Sequence, residues 1–372
     1  EEYYKQDYDI LAITDHGVVN KGWDEMPEML PIIGYNKLFY DLSPVSKERY
    51  EEITTGVGRD GRPMLDVNQG IEMNGVVMRK NHVNGFFCGA FQGDWGEEED
   101  YISPIKATHE AGGISFIAHP GDFYSINGNR ERAEDYDYLK IYIEPLLEYE
   151  SCVGVEIFNE RDTVAGADRI LWDNLLMYTL PYGKTVIGYA NTDAHDENNI
   201  DTSFMTFMME ENNVANIKKT MMNGAFFMTA RNLRGNEFEI GPAEPIEAAN
   251  TDLPYPEFTV LKVDGHKITV KAENAQTLQW IANGHVIMKT EIGAEPVTID
   301  LDKIDGAEDF LYVRAELFGE GGICLTQAFA IDAGADKPGY EETKDFIARA
   351  GFALPHSSQA DIIIEYFICN KN

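Results

Sequence analysis

Short apolar runs alternate with segments of helical composition from residue 8 to residue 230. The strand-like runs are 8–14, 68–74, 81–89, 113–120, 153–159, 185–187, 203–209 and 225–229. The helical segments are 46–53, 101–111, 138–149, 167–178 and 214–223. Such alternation is typical of a parallel sheet covered by helices, either a closed barrel or an open, doubly wound sheet.

Polar side chains at the carboxyl ends of these runs favour the barrel. They are His16, Glu72, His119, Asn159, Asp193 and His195. In a barrel such ends converge on one mouth, whereas in an open sheet they spread along an edge. No glycine-rich phosphate loop follows the first run, which argues against a nucleotide-binding sheet. The pattern therefore predicts a β/α barrel over residues 1–240.

One region between these elements departs from the alternation. Residues 23–66 form a long polar and aromatic insertion, of a kind that often covers a binding site. Tyr35, Phe39 and Tyr40 within it either line a pocket or form the core of the insertion.

The second half of the chain has a different pattern. Residues 241–256 contain four prolines and are predicted to be a linker. Alternating runs separated by turns such as Asp264-Gly265 and Asn283-Gly284 then predict a small all-β, immunoglobulin-like sandwich with its own core over 257–333. The tail, 334–372, contains a predicted helix from 338 and a strand-like run at 361–369.

Composition narrows the choice of partners. The net charge is −34, from 64 acidic and 30 basic residues, so a nucleic-acid partner is not expected. The four cysteines are far apart and form no CxxC, which argues against a thiolate zinc site or a dense disulfide framework. No run is long and apolar enough to span a bilayer. The chain begins at Glu1 rather than Met, so we expect a fragment and leave localisation open.

Four imidazoles and two carboxylates form the candidate metal-ligand set: His16, Glu72, His82, His119, Asp193 and His195. Residues i and i+2 of an extended chain point to the same side, so Asp193 and His195 can aim at one point. Imidazole with carboxylate suits zinc, manganese or iron, and paired ions are a common hydrolytic device. Each residue alone is more often an ordinary polar group, and only their shared placement indicates a site.

The motifs resemble those of PHP domains, the polymerase-and-histidinol-phosphatase metalloenzymes. They are ITDHG at 13–17, GIE at 70–72, the later His82, AHP at 118–120 and DAH at 193–195. The resemblance implies a distorted (β/α)7 barrel. A barrel followed by a sandwich is most similar to the carbaryl-hydrolase branch. The family opens with a His-x-His strand that this sequence lacks, so we expect the first strand to be missing.

The resemblance also implies roles for the residues. Glu72 would bridge a first and a second metal ion, with His82 and His119 completing the second site. Asp193 would serve the first ion, and His16 and His195 a third. Asp15 and Asn159 would orient the ligands, and Glu156 stays open as the carboxylate in place of Glu72.

The sequence thus predicts a metal-dependent hydrolase that holds two or three divalent ions (zinc, manganese or iron). Its substrate would be a small phosphoester, carbamate, amide or ester. The alternative is a non-catalytic two-domain protein that binds a metal, a ligand or a glycan. Metal content discriminates between the two classes, because a pure binding module should purify without stoichiometric transition metal.

Overall fold

The computed structural model describes residues 1–29, 43–73, 81–89, 100–121, 131–159, 165–195, 197–231 and 252–331. The described part contains seven α-helices: α1 (Glu2–Lys5), α2 (Lys47–Thr55), α3 (Ile102–Glu110), α4 (Glu131–Glu134), α5 (Tyr136–Glu148), α6 (Ala165–Thr179) and α7 (Val214–Asn223). Short 3₁₀ turns lie at Leu180–Tyr182, Glu197–Asn199, Leu301–Lys303 and Ala307–Asp309. The five longer helices confirm the helical segments predicted from the sequence to within two residues at each end.

A five-stranded mixed sheet forms the centre of the first 200 residues. Its strands, in spatial order, are β5 (Ile71–Met73), β6 (Val83–Phe86), β7 (Ile114–Ile117), β8 (Cys152–Asn159) and β9 (Ile187–Asn191). β7, β8 and β9 are parallel, but β6 runs antiparallel to both of its neighbours. Two small pairs accompany this sheet: β1 (Ile10–Leu11) with β4 (Leu65–Asp66), and β2 (Val18–Val19) with β3 (Glu28–Met29).

The predicted distorted (β/α)7 barrel is wrong. The described strands fall into several sheets, of which only the two-stranded β1–β4 pair is purely parallel, rather than into one closed parallel ring. Apolar runs and strand ends specify that strands exist, but they carry no information on the direction in which neighbours pair. The reversal of β6 and the limited length of β1 break the parallel order that the alternation of elements suggests.

The C-terminal region confirms the predicted alternating strands. The smaller sheet contains β12 (Glu257–Asp264), β13 (Lys267–Glu273) and β16 (Val297–Asp300). The larger contains β10 (Ser203–Phe207), β11 (Phe226–Ala230), β18 (Gly322–Leu325), β17 (Tyr312–Gly319), β14 (Thr277–Ala282) and β15 (His285–Glu291), with β19 (Phe329–Ala330) on β17. Residues such as Val270, Trp280 and Leu317 pack between the two sheets as a shared apolar core.

The sandwich is not independent of the rest of the chain. β11 pairs antiparallel with β18, with Thr229 opposite Cys324, so strands from both halves share one sheet. The side-chain amide of Gln327 also bonds both the N–H and the C=O of Gly188 in β9. The expectation of a separate unit joined only by a linker is therefore wrong, while the boundaries at 240, 257 and 333 remain predictions.

Three other predictions fall outside the described residues. They concern the aromatic residues Tyr35, Phe39 and Tyr40, most of the proline-rich linker, and the elements of the 334–372 tail. Within the described ranges, no helix has the length and apolarity needed to cross a membrane.

Candidate metal centre

His16 is brought beside Glu72 by backbone pairing. The segment Asp15-His16-Gly17 runs parallel to β5, with Glu72 N–H donating to Asp15 C=O at 3.2 Å and Gly17 N–H to Glu72 C=O at 2.7 Å. Gly17 takes φ of +60°, a left-handed conformation that suits a residue without Cβ.

The antiparallel direction of β6 explains how His82 joins this site. His82 immediately precedes β6, so in a parallel sheet it would lie at the end remote from the other candidates. Because β6 is reversed, its start adjoins the carboxyl end of β7, and Ala118 N–H donates to His82 C=O at 3.0 Å. His119 follows directly and enters the same site.

Three imidazoles converge on the Glu72 carboxylate. His16 Nδ1 lies 3.1 Å from Oε2, while His82 Nδ1 and His119 Nε2 lie 2.8 and 3.1 Å from Oε1. The His82 and His119 nitrogens are 3.2 Å apart. Tetrahedral ligand atoms around zinc are separated by roughly 3.4 Å, so this spacing is close to that of a metal-ligand set. Glu72 and His119 are buried, and His16 and His82 are partly exposed.

Asp193 and His195 lie at the edge of this cluster. Asp193 Oδ2 is 4.0 Å from His119 Nε2 and accepts from Asn159 Nδ2 at 3.3 Å. His195 is exposed, and its Nδ1 lies 2.8 Å from the backbone oxygen of Asp193. The structure therefore brings His16, Glu72, His82 and His119 together and sets these two residues beside them. Asp15, also predicted, accepts from Asn20 Nδ2 at 3.3 Å.

Glu156 binds residues that position the site and does not take the place of Glu72 in it. Its carboxylate accepts from the backbone N–H of His119 at 2.7 Å, from Asn191 at 2.6 Å and from Asn159 at 3.2 Å. Burial raises the pKa of Glu156 to about 7. Asn191 was not among the predicted site residues, although it lies two residues before Asp193 at the polar end of β9.

The electrostatics of the cluster favour a positive charge at its centre. Burial alone would raise the pKa of Glu72, but hydrogen bonds from His119 and His82 hold it below its usual range. Burial would lower the pKa of His119, yet the hydrogen bond to Glu72 and the charge of Glu156 raise it to about 10. The surrounding carboxylates therefore stabilise positive charge here, and imidazole nitrogens with carboxylate oxygens are donors of the kind that bind a divalent ion.

Two of these residues are among the nine described non-glycine residues with positive φ. His119 has φ of +24° and Asp193 has φ of +41°, in the left-handed region that residues with a Cβ seldom adopt. Such strain persists only where the surrounding structure holds it, and it clusters at functional sites.

A cavity of about 510 Å³ opens beside the cluster. Its walls include Glu72, His119 and Asp193 together with apolar side chains such as Phe86 and Met221. Asn84 also lines it, two residues after His82 and therefore on the same face of β6. Asn84 is 7 % exposed, and its Oδ1 has no hydrogen-bond partner among the described residues.

No protein-family model matches the chain, no characterised protein matches it, and no solved structure does.

Proposed function

We propose that the protein is a metal-dependent hydrolase. The observation that carries the proposal is the convergence of His16, His82 and His119 on the Glu72 carboxylate, with ligand atoms 2.8–3.2 Å apart. Glu72, His82 and His119 would hold one divalent ion (zinc, manganese or iron), and His16, Asp193 and His195 would serve one or two others. A bound ion of this kind supplies Lewis acidity that activates water and stabilises developing negative charge.

The chain's own groups prepare the site for that chemistry. Glu156 fixes the backbone of His119, and Asn159 links Glu156 to Asp193, so two candidate ligands are held by one buried carboxylate. Residues held by such partners reach the right geometry without reorganising.

The cavity supports a small molecule as substrate. Its volume lies within the range of ligand pockets, and its wall is largely apolar away from the cluster. We propose hydrolysis of a small phosphoester, carbamate, amide or ester whose apolar part occupies the cavity. The net charge of −34 disfavours nucleic acid as the substrate. The likeness to PHP domains and to their carbaryl-hydrolase branch supports this proposal through the order of the motifs alone, since the described strands do not form a barrel.

The test combines metal binding with turnover. The protein is stripped with a chelator, titrated with Mn²⁺, Zn²⁺ or Co²⁺, and assayed on p-nitrophenyl phosphate, bis-p-nitrophenyl phosphate and an aryl carbamate. Glu72→Gln and His119→Ala should each weaken metal binding by roughly 100-fold or more and abolish turnover. His266→Ala, which alters an exposed pair with Asp302 in the sandwich, is the control. Unchanged metal binding and turnover in both site variants would refute the proposal.

The cavity also favours a second candidate, a non-catalytic ligand-binding protein. A buried polar group such as Asn84 in an apolar cavity would select a small ligand whether or not chemistry follows. Stoichiometric binding of a small apolar molecule, without turnover of any of the three substrates by the metal-loaded protein, would favour this alternative.

A further inference from the structure

The segment that carries His119 is held on two sides. On one side, the backbone N–H of His119 donates to Glu156. On the other, Gly121 packs against the buried carboxylate of Asp168 in the first turn of α6. A Cβ at residue 121 would lie 2.6 Å and 2.5 Å from the two carboxylate oxygens of Asp168, closer than non-bonded atoms approach. Any larger residue would require the buried Asp168 carboxylate to move, so this carboxylate limits how closely the segment approaches α6.

α6 is in turn fixed by charged side chains of the sandwich. Arg314 on β17 donates from Nε and Nη2 to the two oxygens of Asp173, each at 2.7 Å. The hydroxyl of Tyr312 donates to the same Asp173 carboxylate at 2.5 Å. Paired, forked contacts of this type define orientation as well as distance.

A second branch of this network reaches the residue next to Asp168. Glu316 accepts from Arg314 at 2.5 Å and from Gln279 at 2.7 Å, and Arg169 Nη1 lies 3.4 Å from Glu316 Oε2. All of these side chains are at most 3 % exposed. Buried charges are tolerated only when they are paired, so the network permits little movement of α6 against the sandwich.

We propose that Asp168 is a positioning residue for His119, and that the sandwich holds it in place through Arg169 and Arg314. In this arrangement the C-terminal sheet contributes to the metal centre without touching it. The effect on ion binding rests on the function proposed above, whereas the effect on the position of His119 does not.

The first measurement uses the backbone amide signal of His119 as a probe of its position. Selective ¹⁵N-histidine labelling gives amide signals from only eight histidines, and that of His119 reports its hydrogen bond to Glu156. Gly121→Ala should shift this signal, because the new Cβ collides with Asp168. Adding Asp168→Ala removes the obstacle and should return the signal towards the wild-type position. Gly293→Ala, where a Cβ meets nothing within 4 Å, is the control.

The second measurement is Co²⁺ affinity in competition with a chelator. Gly121→Ala should weaken binding about tenfold or more, in the range seen when residues supporting metal ligands are changed, and the double variant should recover most of that loss. If Asp168 has a merely structural role, both variants should lose thermal stability, and the Co²⁺ affinity should not recover in the double variant. Asp168→Ala alone, which leaves a gap where the carboxylate packs against Gly121, tests the same position if Gly121→Ala does not fold, and it should also shift the His119 signal.

The third measurement tests the sandwich. Glu316→Gln removes the negative charge opposite Arg169 and Arg314 and should shift the His119 amide signal, whereas the exposed Asp264→Asn should not. An unmoved signal in Gly121→Ala, or a double variant no closer to wild type, overturns the role of Asp168. An unmoved signal in Glu316→Gln overturns the role of the sandwich. If wild-type protein binds no Co²⁺, the proposed metal centre fails, while the amide signals still decide the positioning.

Discussion

At the scale of single residues, the site depends on which polar groups have partners. The buried carboxylate of Glu72 contacts three imidazole nitrogens, and the buried carboxylate of Glu156 accepts hydrogen bonds from three N–H donors. Asn84 differs from both, because this residue lines the cavity and its buried Oδ1 has no hydrogen-bond partner among the described residues. A buried hydrogen-bond acceptor without a donor lowers the stability of the folded protein. Such a loss of stability is expected where a bound ligand supplies the missing donor.

Asn84→Leu should therefore separate stability from function. Removing the unmet acceptor should leave the free energy of unfolding unchanged or raise it by about 1 kcal/mol, while turnover of a cavity-bound substrate falls. Asn20→Leu is the matched contrast, because Asn20 donates to Ile13 C=O and Asp15. That variant should lose about 1–3 kcal/mol. Urea unfolding measures the free energy of unfolding of both variants. A loss of stability in Asn84→Leu comparable to that in Asn20→Leu would contradict this account.

The candidate residues could be chosen from the sequence because residue type and position at a strand end are local properties. The choice between Glu72 and Glu156 could not be made in the same way, since both follow apolar runs. It depends on the pairing of residues 15–17 with β5, a contact between segments more than 50 residues apart. Asn84 and Asp168 were missed for the same reason, because their importance lies in what faces them.

At the scale of elements, the direction of one strand has two effects. The reversal of β6 prevents a parallel barrel, and it also carries His82 to the carboxyl ends of β5 and β7. Helices and strands could be predicted because apolar spacing is a local signal, as the agreement for α6 and β8 shows. Strand direction could not, because it is decided by distant pairing partners.

β4 provides a pH-dependent test at this scale. Burial raises the pKa of Asp66 to about 6, against a hydrogen bond from Trp23 N–H that lowers it, with the nearby Asp24 charge raising it further. The folded state therefore holds this proton more tightly than the unfolded chain. The protonated form favours folding below about pH 4, and that advantage is lost as pH rises towards about 6.

Asp66→Asn should gain stability relative to wild type across that interval. The gain should level off above about pH 6 at about 1–2 kcal/mol, a value reduced for partial solvent screening of a half-buried group. Urea unfolding at several pH values measures it, with the exposed Asp264→Asn as a control that should show no such rise. A stability gain of Asp66→Asn that is largest at acid pH would show that the predicted direction of the pH dependence is wrong.

At the scale of the whole molecule, the two halves of the chain are joined by a shared sheet and by buried charges. β11 pairs with β18, and Arg314 of β17 binds Asp173 of α6. The guanidinium of Arg314 also lies over the ring of Trp172, 5.1 Å from its centroid. The two halves should therefore unfold together.

Arg314→Met should lower the stability of the whole protein rather than of the sandwich alone. It leaves the carboxylates of Asp173 and Glu316 buried without this partner, which costs about 3–5 kcal/mol. We expect one calorimetric transition, shifted to lower temperature. Lys303→Met, which removes an exposed pair with Asp300, should change stability by less than about 0.5 kcal/mol. Two resolved transitions, of which only one shifts, would contradict the prediction.

The pairing of β11 with β18 has a consequence for chain connectivity. Arg231 N–H donates to Thr202 C=O at 2.7 Å, and its guanidinium donates to Leu253 C=O at 3.3 Å. Both sides of the connection are thus anchored to neighbouring backbone. A peptide-bond break between Arg231 and Asp252 should leave two polypeptides associated as one particle, and the halves should reassemble when they are produced separately.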